Sequence, residues 1–320
     1  MDTGLVRQGF SGRLGGAAVA DAGAEASAGA VADAEADAEA DAGAGAGVSA
    51  GARAEASAGG AVASASAEAG ADASAVAGAG AGPFGYGDGG PLNLGYSAGQ
   101  APSLVLENRR RLAAAAGFSL ASWRGLRQAH GKRIVLVAGA GMGNAEPGAP
   151  LPEADGQITR DAGVTLITQH ADCVPLYFLD PGRQAVGLAH AGWKGTLLDI
   201  AGAMVRAMGE AFGSRPGDLL VAIGPGAGPC HYEVDEPVLA PARERFAAMP
   251  GALESVTRPS GRPGRAWLDL WRANALLLTA SGVLWERISV AGLCTICCND
   301  RLFSHRQGDR GRQVAFIGLS

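Results

Sequence analysis

The sequence predicts an α+β fold built from mixed β-sheets flanked by helices. Seven short apolar runs bounded by Gly, Pro and Asp read as strands, and stretches of helical period lie among them without strict βαβ alternation. A third observation limits where that fold lies. Residues 17 to 82 consist almost wholly of Ala, Gly, Ser, Val, Asp and Glu, with no aromatic residue and no Leu, Ile or Met, so they cannot build a core.

Taken in order, the opening "MDTGLVRQGFSGRLGG" is interrupted by Arg7 and Arg13 and has no secretory apolar region. The stretch 17 to 82 is expected to be disordered or at most transiently helical, because burial cannot offset its ordering entropy. It holds ten acidic residues and one basic one, Arg53; with its −9 set aside, the chain's formal −5 becomes about +4 elsewhere. That remainder suits a small anionic ligand and is too weakly basic for nucleic acid. Residues 82 to 99, "GPFGYGDGGPLNLGYSAG", are turn-rich.

A helix is predicted over 101 to 118, with Pro102 at its start, Ser103 near the cap and Gly117 as its stop. Strands are predicted over 133 to 138, 163 to 169, 174 to 180, 184 to 189, 218 to 223, 287 to 293 and 313 to 319. Further helices fall at about 196 to 212, 235 to 248 and 269 to 281. The first of these is the best defined, since Leu197, Ile200, Ala201, Met204, Val205, Met208 and Phe212 repeat at helical spacing. Thr196 as N-cap with Asp199 three residues on forms a capping-box pattern beside Lys194. It reads equally as a phosphate seat or as a well-capped helix. No run of 18 or more apolar residues free of charges or many glycines exists, and five cysteines without a secretion signal read as reduced thiols in a cytoplasmic protein.

Two motifs read as decoys. "RIVLVAGAGMGN", 133 to 144, looks like a strand entering a dinucleotide-binding turn, but Pro147, Pro150 and Pro152 follow where the phosphate-binding helix must begin. "CTICCND", 294 to 300, contains Cys-x-x-Cys, yet a structural zinc site needs a second pair of donors and only Cys230 and His231 offer one. Packed or incidental thiols are the expected reading there.

The chemistry concentrates at His130 in "QAHG", Cys173 in "ADC" and His190 in "HAGW", each at the end of an apolar run beside small residues. Three such side chains can hold a catalytic zinc and leave a fourth position for water. Spacing alone leaves ordinary hydrogen-bonding histidines as the alternative. The words "GFSGRLGG", "LNLGY", "VLENRRRLA", "DGQIT", "ADCVPLYFLD", "HAGWKGT", "AIGPGAGPCHYEV", "LDLWRANALLL", "CTICCNDRLFSHR" and "GRQVAFIGL" occur in one order along residues 4 to 18 and 83 to 320. In these words the chain resembles the multicopper polyphenol oxidoreductase laccase family.

The resemblance implies a layered α-β-β-α arrangement, similar to that of cysteine-hydrolase-like deamidase toxins. It implies one catalytic domain over residues 1 to 320, interrupted by 17 to 82 as an insertion, which loop-closure entropy tolerates. It implies that His130, Cys173 and His190 are the metal ligands and catalytic residues, with zinc as the metal and copper as second choice. A thiolate and two neutral imidazoles would leave Zn²⁺ at a formal charge of about +1, able to acidify a bound water toward a pKa of about 7. The implied activities are phosphorolysis of adenosine, inosine, guanosine or methylthioadenosine to free base and ribose 1-phosphate, and deamination of adenosine. Purine nucleosides and inorganic phosphate are then the partners, without nucleic acid or membrane, and the sequence leaves the oligomeric state open. Arg13, Lys194 and Arg306 are candidates to hold the phosphate, with Asn93 and Gln128 as polar positioners.

Two positions depart from the family pattern. His170 stands where a small or hydroxylic residue is usual; facing away from residue 173 on a strand, it is expected behind the ligands or at the surface rather than as a fourth ligand. His231 replaces a thiol in "PCHYEV". The rival reading is a cysteine-type amidase, with Cys173 and His190 as nucleophile and base, editing nucleotide-linked muramoyl peptide precursors. A non-enzymatic scaffold built on the acidic stretch is weaker, because that stretch has no anchors for a binding hot spot. The chain also lacks the several His-rich motifs of a multicopper electron relay.

Overall fold

The computed structural model describes residues 92–139 and 143–319, together with the backbone of two strands at 6–11 and 17–21. Those strands, β1 (Val6–Ser11) and β2 (Ala17–Asp21), pair antiparallel with Gly9 opposite Val19. Residues 17 to 21 therefore belong to a sheet and not to the low-complexity stretch, a correction of its boundary: ladder bonds are made by the backbone and need no large side chain. Arg13 and residues 22 to 91 lie outside the described residues.

Helix α1 (Pro102–Ala115) starts at Pro102, whose missing N–H has no helical partner at this position anyway. Its cap is Ala101, with no side-chain bond, and Ser103 follows Pro102 in the first turn, near the cap as expected. Gly117 closes the helix at φ 70°. Strands β3 (Trp123–Arg124), β4 (Ile134–Leu136), β5 (Gly156–Thr159), β6 (Thr165–His170), β7 (Val174–Asp180) and β8 (Ala185–Ala191) follow.

The single helix expected over 196 to 212 is two: α2 (Trp193–Leu197) and α3 (Ile200–Phe212). Asp199, at φ 66°, breaks them and caps α3 by accepting the Gly202 N–H at 2.9 Å. Thr196 is not a cap; it is buried inside α2 with its hydroxyl accepting from Asn274 Nδ2 at 3.0 Å. The remaining elements are β9 (Leu220–Ile223), β10 (Glu233–Val234), α4 (Glu236–Phe246), α5 (Ala252–Val256), β11 (Thr257–Pro259), β12 (Ala266–Leu268), α6 (Leu270–Ala280), β13 (Ile288–Val290) and β14 (Gln313–Leu319).

The strands make a five-stranded sheet, β2-β1-β14-β6-β3, a six-stranded sheet, β13-β9-β7-β8-β5-β4, and a small sheet, β10-β12-β11. Alternation along the strands stacks them. Leu166, Ala315 and Ile317 meet Tyr177, Val186 and Leu188 between the two large sheets, whereas Ile167, Val314 and Phe316 point the other way, onto Leu112 of α1. On the far side of the six-stranded sheet, Leu176, Phe178 and Ala189 pack with Met204 and Met208 of α3 and Leu277 and Leu278 of α6. The layering is α-β-β-α, and Met204→Ala, emptying a fully buried site against the sheet, is worth about 2–5 kcal/mol.

Register positions the functional groups. In the β7–β8 pair Val174 lies opposite Ala191 and Pro175 opposite His190, so the residue before β7 and the C-terminal end of β8 share one end of the sheet. In the β5–β8 pair Gly156 lies opposite Ala189, which sets the residue preceding β5 beside His190. Among the described residues after β4, 143–155 contain no helix of the kind a dinucleotide-binding turn opens into.

Candidate metal and catalytic site

His130, Cys173 and His190 arrive from three segments, and their ligand atoms all lie within 4.8 Å of one another. His190 is the last residue but one of the wholly buried β8 and is 3% exposed. Its ring stands edge-on to that of His130, with centroids 4.8 Å apart. His130 itself is exposed, on the loop between β3 and β4.

The carboxylate of Asp155 organises this cluster. It is fully buried just before β5, accepts from His190 Nδ1 at 2.9 Å, and accepts backbone N–H groups of Ala129, His130 and Gly131 at 3.1, 2.9 and 2.7 Å. The His190 N–H also donates to the Asp155 carbonyl at 2.7 Å. One side chain thus wraps the His130 loop around itself and leaves His190 Nε2, the other ring nitrogen, for Cys173 and a ligand. Burial pushes the Asp155 carboxyl up, but the His190 bond and the Gly131 and His130 N–H groups outweigh it and hold it below the usual range.

Cys173 and His190 polarise each other. Burial opposes ionisation of the thiol, yet the charge of His190 and hydrogen bonds from both histidines lower it to about 6. Burial likewise opposes the imidazolium, while the Cys173 thiolate and Asp155 raise His190 to about 9. The pair is thus a thiolate beside an imidazolium, and the thiolate is the form in which sulfur attacks carbon or binds metal.

Space at the cluster is set by Gly192. A Cβ there would sit 2.8 Å from Cys173 Sγ and 3.3 Å from His130 Cδ2, so the glycine of "HAGW" makes room for the ligand set. Backbone strain gathers at the same place: His130 has φ 59° and Asp172 φ 85°. Asp172 is held from three sides. Its carbonyl accepts from Ala227 N–H at 2.8 Å, and its carboxylate from Thr295 Oγ1 at 2.6 Å and Arg306 N–H at 2.8 Å. These bonds fix the residue on which Cys173 turns into β7.

The family model of the multi-copper polyphenol oxidoreductase laccases matches residues 76–320. The chain belongs to that family. A relative from Geobacillus stearothermophilus named purine nucleoside phosphorylase YlmD is 42% identical over 231 residues, covering 71% of this chain and 83% of that protein. The human protein named purine nucleoside phosphorylase LACC1 is 36% identical over 222 residues, 68% of this chain and 48% of that longer one. The crystal structure of the Geobacillus YlmD superposes with a TM-score of 0.67 at 42% identity, covering 73% of this chain and 86% of that one.

The other sequence candidates are placed as follows. Arg306 adjoins the cluster through Asp172, donates from Nη1 to the Glu233 carbonyl at 2.8 Å and stacks 4.6 Å over the Tyr232 ring. Lys194 is exposed in α2, over Trp193. A five-residue helix offers little dipole, so its entrance adds little to the lysine's own charge. Gln128 exchanges hydrogen bonds with the Gln169 backbone, 2.8 Å each way, and so anchors the His130 loop to β6. Asn93 is buried and spends its amide on Gly95, Gln100 and the Arg312 N–H. Both therefore brace the scaffold. His170 is buried, with Nδ1 at 2.9 Å from the Cys173 carbonyl and Nε2 at 2.8 Å from Thr168 Oγ1, behind the ligands and not at the surface. Burial, then the charge of His190, keep its ring neutral.

Sequence reasoning missed Asp155 and Asp172. Their signal was present, an acid directly before a strand in "ADGQIT" and one directly before the cysteine in "ADC", but acids in such turns are common.

Proposed function

We propose that this chain is a zinc-dependent purine nucleoside phosphorylase. It cleaves adenosine, inosine, guanosine or methylthioadenosine with inorganic phosphate to the free base and ribose 1-phosphate, and deaminates adenosine as a second activity. The observation that carries the reading is the His130–Cys173–His190 cluster braced by Asp155, in a chain whose relatives bear the phosphorylase name.

The residues fit the metal. Two imidazoles and a thiolate of lowered pKa are the donor set of a catalytic zinc, with the histidine partner that such sites require. Zinc, when bound, supplies a Lewis acid and an acidified water. The chain's own residues do the rest. Asp155 stays ionised and fixes the His190 ring. Lys194 and Arg306 provide positive charge for phosphate as it attacks C1′ of the ribose, the C1′–N9 bond breaks and the purine leaves with its electron pair. Arg13 is retained as a third cation in this role. Among the described residues no helix is long and apolar enough to cross a membrane. A cytoplasmic protein with one catalytic domain, interrupted after residue 21 by the low-complexity stretch, is the consistent picture.

A specific observation also favours the amidase reading. Cys173, His190 and Asp155 are ordered as nucleophile, base and orienting acid, with the thiol already lowered to about 6. A thiolate held by zinc is a poor nucleophile, so metal content separates the two. The test is inosine turnover by zinc-loaded protein with and without phosphate. Hypoxanthine and ribose 1-phosphate formed in equal amounts, only with phosphate, support the phosphorylase; a metal-free protein inert toward nucleosides returns the reading to the amidase.

A further inference from the structure

Four more donor side chains converge away from that cluster. Cys230 and His231 lie on the loop after β9, and Cys294 and Cys297 on the turn after β13; their ligand atoms all fall within 4.8 Å of one another. Cys230 Sγ is 3.5 Å from Cys297 Sγ, which is 3.3 Å from His231 Nδ1. In a tetrahedral zinc site with sulfur at about 2.3 Å, neighbouring donors stand about 3.8 Å apart. The cluster is thus near metal-binding size, and its two halves are the pairing that Cys-x-x-Cys alone lacked.

Its surroundings favour a thiolate site. The Gly228 N–H donates to Cys294 Sγ at 3.3 Å, the kind of bond that orients and stabilises a ligating sulfur. Gly228 is required there, since a Cβ would come within 3.1 Å of Cys294 Cβ and 2.7 Å of the Trp271 ring. The neighbouring Cys298 takes no part; it packs toward the inter-sheet core. The turn therefore directs two of its three thiols into the cluster.

We propose that Cys230, His231, Cys294 and Cys297 bind a second zinc ion that is structural. Four protein donors complete a tetrahedron and leave no position for substrate or water. The ion joins two loops already bridged by hydrogen bonds between Gly226 N–H and the Leu293 carbonyl, 3.1 Å, and between Thr295 N–H and the Gly226 carbonyl, 3.0 Å. Those same loops grip Asp172 through Ala227 and Thr295, so the second site steadies the residue on which Cys173 turns. The binding claim stands apart from the reading of the first cluster.

Zinc content is measured by mass spectrometry on protein purified under reducing conditions without added metal. Wild type is expected to hold about two ions per chain, and the Cys230→Ser/Cys297→Ser variant about one fewer than wild type. Cys173→Ala should also lose one, but from the other cluster. An ion lost with Cys230→Ser/Cys297→Ser supports this proposal whatever happens to the first site. Should that variant not fold, Cys173→Ala protein titrated with cobalt(II) gives the answer from an intact second cluster: thiolate-to-cobalt charge-transfer absorption with intense tetrahedral visible bands is expected. Unchanged zinc content in Cys230→Ser/Cys297→Ser, no such absorption with cobalt, or a Cys230–Cys297 disulfide mapped in protein purified without reductant would overturn the proposal.

Discussion

The two donor clusters use the same side chains in opposite settings. His190 lies near the C-terminal end of a central strand, 3% exposed, with its ring fixed by a fully buried carboxylate, and the set stops at three donors. Cys230, His231 and Cys297 stand exposed on two loops, the buried Cys294 accepts from the Gly228 N–H, and the set reaches four. Rigid support with one position left over is what chemistry on a substrate needs, whereas a closed set on loops is what joining them needs. The difference lies less in the ligands than in what stands behind them.

That contrast can be broken most forcefully at Cys173. Cys173→Ala should lower phosphate-dependent hypoxanthine release about 10³-fold or more, as expected when a Lewis-acid site is dismantled, and leave the circular dichroism unchanged. Next comes Asp155→Asn, which keeps the shape and removes the charge behind His190. Zinc affinity, read by competition with a chelator, and turnover are each expected to fall about 10–100-fold. Equal values for variant and wild type would mean that Asp155 is only a loop staple.

Gly192→Ala tests space rather than charge. The added methyl meets Cys173 Sγ at 2.8 Å, so thermal melting should report a loss of about 1–3 kcal/mol, with zinc affinity weakened in step. Cys297→Ser is expected to lower the melting temperature while turnover stays within about fivefold of wild type, since it disturbs the cluster at one remove. The smallest effect belongs to deletion of residues 24 to 70, which spares β2 and should change neither turnover nor melting.

Much of the frame was legible because its strands are buried on both faces and carry unbroken apolar runs. Residues 174 to 180 and 313 to 319 match β7 and β14 residue for residue. β5 was not, because "GQIT" has no apolar run, although it pairs with strands on both sides and carries Asp155 at its mouth. The break between α2 and α3 escaped the pattern for a related reason. The apolar repeat runs through it, and only the positive φ of Asp199 divides it. At the site, the three donors came with the family words, and their meeting depends on the β7–β8 register, which no spacing encodes. Cys230 and His231 met Cys294 and Cys297 through a bridge between Gly226 and Cys294, a contact across 68 positions that reading "CTICCND" as incidental thiols could not anticipate.

On this contrast, the three-donor cluster does the chemistry and the four-donor cluster does not. The most direct test is phosphate-dependent inosine turnover in Cys173→Ala and Cys297→Ser, each at measured zinc content. Turnover is expected to be lost in the first and retained in the second, although each gives up one ion. Turnover surviving in Cys173→Ala and vanishing in a folded Cys297→Ser would contradict that division and move the reaction to the loops.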